Sequence, residues 1–158
     1  MVTGPFPAGP GSEYECARAW SALTAAHARI CGRLSDALAA SCGLTINDFE
    51  ILLRIDHGPP DGLRLGELGE AVPLTQPALS RAAARLGQRG AVARSGVALD
   101  RRGVLITVTP AGRDLLRRAI PVHASVLRAA LLDRLSPAEQ DLLAATLGRV
   151  AAADADAG

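Results

Sequence analysis

The sequence predicts a mainly α fold with a small β-wing, in which a winged helix-turn-helix DNA-binding lobe is joined to a helical dimerisation region. Between Leu65 and Gly90, apolar residues recur at helical spacing on both sides of a Pro73-Leu74 break, which predicts two helices joined by a tight turn. Two short β-like runs follow at 91–94 and 104–108, separated by a polar segment that carries arginines. Helix, turn, helix and hairpin in this order are typical of a winged helix-turn-helix.

A long helix is predicted ahead of this motif, from Ser12 to about Ser41. Its inward positions follow a seven-residue apolar repeat that only a histidine interrupts: Cys16, Trp20, Leu23, His27, Ile30, Leu34 and Ala37. Gly43 is expected to end the helix. So small a chain cannot cover this stripe alone, so we expect a homodimer in which a second copy covers it.

The remaining elements follow from local signals. A capping box at 45–48 opens a helix, and Leu63-Arg64 is expected to form a small strand that pairs with the wing. A further helix begins at Pro110 and runs toward Leu135, with a kink expected at Pro121. A second capping box at 136–139 opens the last helix, whose apolar residues are Leu142, Leu143, Leu147 and Val150.

These signals divide the chain into five parts. We expect a disordered lead at 1–11, a dimerisation helix at 12–44 and the winged lobe at 45–112. Two C-terminal dimerisation helices at 113–152 and a frayed tail at 153–158 complete the prediction.

Charge is concentrated in the predicted DNA-binding part. Between Pro73 and Arg118 there are nine arginines against two aspartates, a net charge of +7. The remainder has eight basic and fourteen acidic residues, a net charge of −6. A basic block that coincides with the second helix of the motif and the wing indicates a surface for double-stranded DNA.

The same segment resembles the MarR family of bacterial transcriptional regulators. That family has D-x-R at the wing followed, at fixed spacing, by an aliphatic residue, Thr and Gly; this chain has Asp100, Arg102, Val108, Thr109 and Gly112 at that spacing. The resemblance covers about 22–150 and implies a dimeric DNA-binding repressor released from a near-palindromic operator by a small-molecule effector. Gly69 departs from the usual Ala of the family, which we expect to loosen the first helix of the motif by up to about 1 kcal/mol.

The candidate DNA contacts lie on the second helix and the wing. On the helix, the residues that face away from the apolar side include Gln76, Pro77 and Ala84; Gln76 and Arg81 are candidates for base contacts, since these side chains suit adenine and guanine. Thr75, Ser80 and Arg85 are candidates for phosphate contacts. At the wing, Asp100 is expected to position arginines, with Arg101 beside it and Arg102 entering a minor groove.

The resemblance also bears on effector and redox sites. The resemblance implies a pocket for a small aromatic anion, for which we name Trp20, His27, Phe49 and Leu53, although simple core packing also explains each of them. An alternative is a peroxide- or thiol-sensing regulator that acts through Cys16, which equally fits the apolar stripe as a small hydrophobe.

Motifs of other classes of protein were sought along the same sequence. No segment has the pattern of a metal site, a nucleotide-binding loop or a nucleophile, so we expect no cofactor, no metal and no enzyme activity. No apolar run is long enough for a membrane span and the first residues do not form a signal peptide, so we expect a cytoplasmic protein. A helical protein-interaction module without DNA binding remains the alternative from another class.

Overall fold

The computed structural model describes residues 12–96 and 104–152 and has the predicted fold, helical with a small antiparallel sheet. The elements in chain order are α1 (Ser12–Cys42), α2 (Ile46–Asp56), β1 (Leu63–Arg64), α3 (Leu65–Ala71), α4 (Gln76–Gln88), β2 (Val92–Gly96), β3 (Val104–Val108), α5 (Pro110–Ala130), a 3-10 helix (Leu132–Arg134) and α6 (Pro137–Ala152). The chain divides into two compact units, one formed by 34–123 and the other by the described parts of 1–33 and 124–158. Within the described ranges, no helix is both long and apolar enough to cross a membrane.

The 34–123 unit contains one continuous apolar core. The sequence predicts Leu65, Leu68 and Val72 on the inward side of the first helix of the motif, and Leu79, Ala82, Ala83 and Leu86 on that of the second. All are buried in this core except Leu65, which is partly buried against it. Phe49, Ile51, Leu52 and Ile55 of α2 join them, as do Leu115, Leu116 and Ala119 of α5. The free energy gained by burying apolar side chains is roughly proportional to the area removed from water. This shared core therefore stabilises α3 and α4, which are too short to be stable as isolated helices.

The ends of α1 and α4 both use a glycine in the left-handed region. Gly43 has φ +63° and Gly90 has φ +67°, a conformation that costs glycine little because it has no Cβ. After α4, the Ala91 amide donates to the Leu86 carbonyl at 2.9 Å, which satisfies one of the free carbonyls of the last turn. Both predicted helix ends are confirmed.

The capping box that opens α2 is also confirmed. The Asp48 amide donates to Thr45 Oγ1 at 3.1 Å, and the Thr45 amide donates to Asp48 Oδ2 at 3.3 Å. The capping box of α6 has the same reciprocal pattern: the Ser136 amide donates to Glu139 Oε2 at 2.8 Å, and the Glu139 amide donates to Ser136 Oγ at 3.4 Å. The Ser136 hydroxyl also donates to Glu139 Oε2 at 2.7 Å. These hydrogen bonds favour the carboxylate form and lower the pKa of Glu139.

The sheet has the order β1-β3-β2 and both of its pairings are antiparallel. Leu63 pairs with Ile106, so the predicted pairing of the two-residue strand with the wing is confirmed. Val92 pairs with Val108 at the base of the hairpin, and β2 begins one residue later and ends two residues later than the sequence predicts. The segment 97–103 between β2 and β3 lies outside the described residues.

The junction between β3 and α5 explains the spacing of Thr109 and Gly112. Thr109 Oγ1 donates to the Gly90 carbonyl at 2.6 Å and accepts from the Gly112 amide at 3.1 Å. A Cβ on Gly112 would lie 2.1 Å from the Ala91 carbonyl oxygen. A short hydroxyl side chain followed three residues later by glycine therefore lets α5 begin directly against the end of α4.

The C-terminal helices differ from the prediction in one respect. α5 continues through Pro121 but ends at Ala130, not near Leu135, and the 3-10 helix and Leu135 lead to α6. No residue of α6 is buried, and its side chains Leu142, Leu143, Leu147 and Val150 are all exposed in the isolated chain. The stripe of α1 is similar, since Trp20 is 65 % exposed and Leu23 40 %, whereas Leu34 is buried.

Candidate nucleic-acid interface

The outer face of α4 forms the centre of the candidate interface. The residues predicted to face away from the core are exposed: Gln76, Pro77, Ser80, Arg81, Ala84 and Arg85. The opposite side of the same helix is buried through Leu79, Ala82, Ala83 and Leu86, so the helix has one exposed side and one packed side. Thr75 has the N-cap position, which its residue type and place before the helix also predict, and its backbone is extended; its side chain makes no capping hydrogen bond, so a hydroxyl cap is wrong here.

Gln76 lies against the first helix of the motif. A Cβ built on Gly69 would be 2.6 Å from Gln76 Nε2, so the side-chain amide occupies space that an alanine at position 69 would need. Gly69 is thus a site of close approach between α3 and α4, a role that helix propensity alone does not indicate.

Arg85 has a partner inside the protein. Its NH2 group donates to Asp48 Oδ1 at 2.8 Å, and the side chain of Asp48 is almost fully buried, while that of Arg85 is about half exposed. From the sequence, Arg85 was expected to contact a DNA phosphate, and Asp48 was expected only to cap α2. Asp48 therefore joins the start of α2 to α4, which sequence reasoning missed.

Arg89, at the C-cap of α4, binds the end of α1. Its NH1 group donates to the Gly43 carbonyl at 2.5 Å and its NH2 group to the Cys42 carbonyl at 3.0 Å. These carbonyls belong to a helix C-terminus, where free acceptors and a partial negative charge favour a cation. Sequence analysis counted Arg89 in the basic block without a specific role.

Two further arginines of the basic block lie beside carboxylates. Arg113 NH1 is 3.9 Å from Asp56 Oδ1, and Arg117 forms an exposed pair with Asp114. Exposed pairs of this kind contribute little to stability, but they lower the local positive charge. Asp48 and Asp56, the partners of Arg85 and Arg113, lie outside 73–118, so the +7 count overstates the charge available to DNA; Asp114 is already included in that count. Arg81 on α4 is exposed and stays a candidate contact.

The predicted wing contacts Asp100, Arg101 and Arg102 lie outside the described residues. β2 and β3, the strands that lead to them, are described on both sides, and Arg94 on β2 is exposed. The DNA-binding roles of the three residues stay predictions.

The four residues named for an effector fall into different units. Trp20 and His27 belong to the unit that contains the first part of α1, and both are exposed; Phe49 and Leu53 belong to the 34–123 unit. Phe49 is buried in the core and stacks on His123, with ring centroids 4.7 Å apart. Partial burial lowers the pKa of His123, and the nearby carboxylate of Glu50 opposes this shift more weakly.

Among the cysteines, Cys16 is exposed on α1, as are Glu15 and Arg18 near it. The sulfur of Cys31 lies 3.3 Å from His27 Nε2, one helical turn away. Nothing in the geometry of Cys16 singles it out as a reactive thiol. In the described part of the chain, no group of three or more metal-binding side chains is present.

Comparison with known proteins gives consistent results. A model of the MarR family matches residues 43–103. A MarR family transcriptional regulator from Streptomyces coelicolor, solved in complex with DNA, is 29% identical with a TM-score of 0.81, over 93% of this chain and 91% of that one. AbsC, a second MarR family regulator from Streptomyces coelicolor, is 26% identical with a TM-score of 0.78, over 92% and 96%. BpsR of Bordetella bronchiseptica, whose DNA binding is regulated by 6-hydroxynicotinic acid, is 26% identical with a TM-score of 0.76, over 85% and 98%.

Proposed function

The chain belongs to the MarR family of DNA-binding transcriptional regulators, and from this premise we propose that it is a repressor that binds a near-palindromic operator as a homodimer and leaves it when a small effector binds. The observation that carries the proposal is the polar outer face of α4, fixed on a well-packed core and followed by a β-hairpin. This is the arrangement in which a recognition helix enters a major groove while the wing lies over the adjacent minor groove.

Within this proposal, the exposed residues of α4, the recognition helix, form two groups, one that contacts bases and one that contacts phosphates. Gln76 and Arg81 contact bases, because an amide can bind adenine through two hydrogen bonds and a guanidinium can bind guanine in the same way. The hydroxyls of Thr75 and Ser80 contact phosphates, which set register and not sequence. At the wing, Arg102 enters the minor groove with Asp100 and Arg101 beside it.

The direct test is the binding of DNA that flanks the gene for this protein, measured across a salt series. Arg102→Ala should weaken operator binding and flatten the salt dependence, because a contact with the phosphate-lined groove is lost. Gln76→Ala and Arg81→Ala should instead reduce discrimination at base pairs inside the half-site, by roughly 1–3 kcal/mol per bidentate contact. If Arg102→Ala binds as the wild type at every salt concentration, the wing does not contact DNA.

The effector is proposed to be a small aromatic acid. BpsR, which responds to 6-hydroxynicotinic acid, supports this class of compound. Trp20, His27, Phe49 and Leu53 are the candidate contacts. Effector binding weakens DNA binding by changing the separation of the two recognition helices, and by linkage DNA weakens effector binding by the same factor.

Calorimetry with a panel of aromatic acids tests this regulation. A compound that binds should lower operator affinity, and operator DNA should lower the affinity for that compound equally. The redox alternative is tested in parallel with Cys16→Ser and an organic hydroperoxide. If no acid binds and the DNA affinity is unchanged by peroxide, neither form of regulation applies.

A further inference from the structure

We propose that Arg85 and Arg89 are positioning residues, which hold the recognition helix on the corner between α1 and α2 and support operator binding through this attachment, not through phosphate contacts. We define the α1–α2 corner as residues 42–48. The proposal rests on the DNA-binding function proposed above, and it departs from the assignment of Arg85 to phosphate.

The first argument is geometric. Arg85 and Arg89 are four residues apart on α4, so their side chains leave the same side of the helix one turn apart. Both end on the α1–α2 corner: Arg85 NH2 lies 2.8 Å from Asp48 Oδ1, and Arg89 donates to the carbonyls of Cys42 and Gly43. Two attachments at different heights on one helix restrict its rotation about its axis as well as its translation.

The second argument is the burial of Asp48, which is only 4 % exposed. One carboxylate oxygen accepts from the Thr45 amide and the other from Arg85. A buried carboxylate that loses a charged partner is strongly disfavoured, so this pair differs from the exposed pair of Arg117 with Asp114. The Asp48–Arg85 pair therefore has a defined geometry in the free protein.

The third argument is the planar geometry of the Arg89 guanidinium. Two of its nitrogens bind successive carbonyls at the end of α1, and a planar fork bound at two points has a fixed direction. Leaving this site to bind a phosphate would expose two acceptors at a helix C-terminus. The Arg89 guanidinium is therefore bound inside the protein to the end of α1, and we assign it no phosphate contact.

The consequence for recognition follows from the position of these contacts. They hold the C-terminal half of α4, while the proposed base contacts Gln76 and Arg81 lie toward its beginning. Bidentate hydrogen bonds to bases depend on sub-ångström placement, so a loosened helix loses sequence discrimination first. Binding to random DNA, which depends mainly on the number of charges near phosphates, changes less.

The experiment compares Arg85→Gln, Asp48→Asn and the double variant with the wild type, on operator and on random DNA across a salt series. Asp48→Asn keeps a side-chain acceptor for the Thr45 amide. We expect each single variant to lower the ratio of operator to random affinity roughly ten-fold, the effect of weakening one base contact. The slope of log affinity against log salt should stay unchanged, and the double variant should be no worse than Arg85→Gln alone.

Thr45→Ala is the matched control, because it removes the other half of the capping box and leaves the Asp48–Arg85 pair in place. It should lower the unfolding temperature without changing the affinity ratio. Arg89→Gln should behave as Arg85→Gln, with a lower ratio and an unchanged salt slope. Circular dichroism of every variant at the assay temperature confirms that only folded protein is compared.

A phosphate contact would give the opposite pattern. If Arg85→Gln weakens operator and random DNA alike and flattens the salt slope by about one, while Asp48→Asn binds as the wild type, the proposal is wrong. It is also wrong if Thr45→Ala lowers the ratio as much as Asp48→Asn does. A wild-type protein that shows no preference for any operator contradicts the proposed function itself, which separates the two failures.

Discussion

Gly112 shows how a single residue fixes the approach of two elements. A Cβ at this position would lie 2.1 Å from the Ala91 carbonyl oxygen and 2.8 Å from Val108 Cγ1, and both are parts of a packed core that cannot move freely. We expect Gly112→Ala to lower the free energy of unfolding by about 1–3 kcal/mol, the usual cost of overpacking. Urea denaturation measures the change.

Gly87 provides the control for that experiment. It lies near the end of α4, and a Cβ there would have no neighbour within 4 Å. Gly87→Ala should raise the free energy of unfolding by up to about 1 kcal/mol, because alanine is the better helix former. Equal effects of the two substitutions would contradict the close packing inferred at Gly112.

Gly69 gives a second prediction, on specificity. Gly69→Ala should stabilise α3 by up to about 1 kcal/mol through helix propensity. The new methyl group would also displace the Gln76 amide, which now lies within 2.6 Å of its position. We therefore expect a more stable protein whose preference changes at the same base pair that Gln76→Ala affects, measured as affinity for a set of single-base operator variants.

The control is Gly66→Ala in the same helix, where a Cβ would meet no atom within 4 Å. It should stabilise the protein similarly and leave base preference unchanged. In a Gln76→Ala background, Gly69→Ala should have no further effect on specificity. A change in preference there would show that Gly69 acts through some other residue.

The residues that sequence reasoning missed share one property, which is that their partners are distant in the chain. Arg85 and Asp48 are 37 positions apart, and Arg89 and Gly43 are 46 apart. Helical spacing shows which side of α4 a residue occupies, but not which buried acceptor lies beside it. The charge count consequently predicted a basic surface without showing which of its arginines are bound internally.

At the scale of elements, local signals were sufficient wherever a residue acts on its own helix. The capping boxes at 45–48 and 136–139 and the helix end at Gly90 were predicted and are present, because each depends on residues within a few positions. The end of α5 was predicted five residues too late, since apolar spacing continues through the 3-10 helix. Periodicity alone does not separate these two helical forms.

The contact between α2 and α5 predicts a pH dependence of stability. Burial lowers the pKa of His123 below its ordinary value of 6.5 in the folded protein. Below that value the unfolded chain binds a proton more readily than the folded chain, so the free energy of unfolding falls as the pH drops through and below 6.5. Well above pH 6.5 the histidine is neutral in both the folded and the unfolded state, so its titration no longer changes the free energy of unfolding.

His123→Phe tests this prediction, because it keeps an aromatic ring against Phe49 and removes the titration. Urea denaturation from neutral pH to about pH 5.5 should show a smaller loss of stability for the variant than for the wild type. His57→Gln is the control, since His57 is exposed at the end of α2, and it should retain the wild-type dependence. An unchanged pH profile in His123→Phe would rule out this histidine as the cause.

At the scale of the whole molecule, apolar stripes remain exposed on helices at both ends of the chain. Trp20 on α1 is 65 % exposed, while on α6 Leu142 is 66 % and Val150 63 % exposed. Single exposed apolar residues are common on protein surfaces, but stripes at regular helical spacing are typical of interfaces. On α6 the predicted apolar residues are all exposed, whereas on α1 Leu34 of the predicted stripe is buried in this chain, and the fully buried Leu38 was not part of that stripe.

A homodimer that covers these stripes gives the last prediction. Light scattering at micromolar concentration should report twice the mass of the chain. Leu142→Asp should shift the protein toward monomer, because a carboxylate that is harmless in solvent costs several kcal/mol when an interface buries it. Gly148→Asp is the control: at 100° per residue it lies about 100° or more from each of the four stripe residues, and a Cβ there would meet no atom within 4 Å, so the dimer should persist. A Leu142→Asp variant that dimerises as the wild type does would exclude α6 from the interface. A wild-type chain that stays monomeric would contradict the dimer itself, and it would leave the two recognition helices without the fixed spacing that a near-palindromic operator requires.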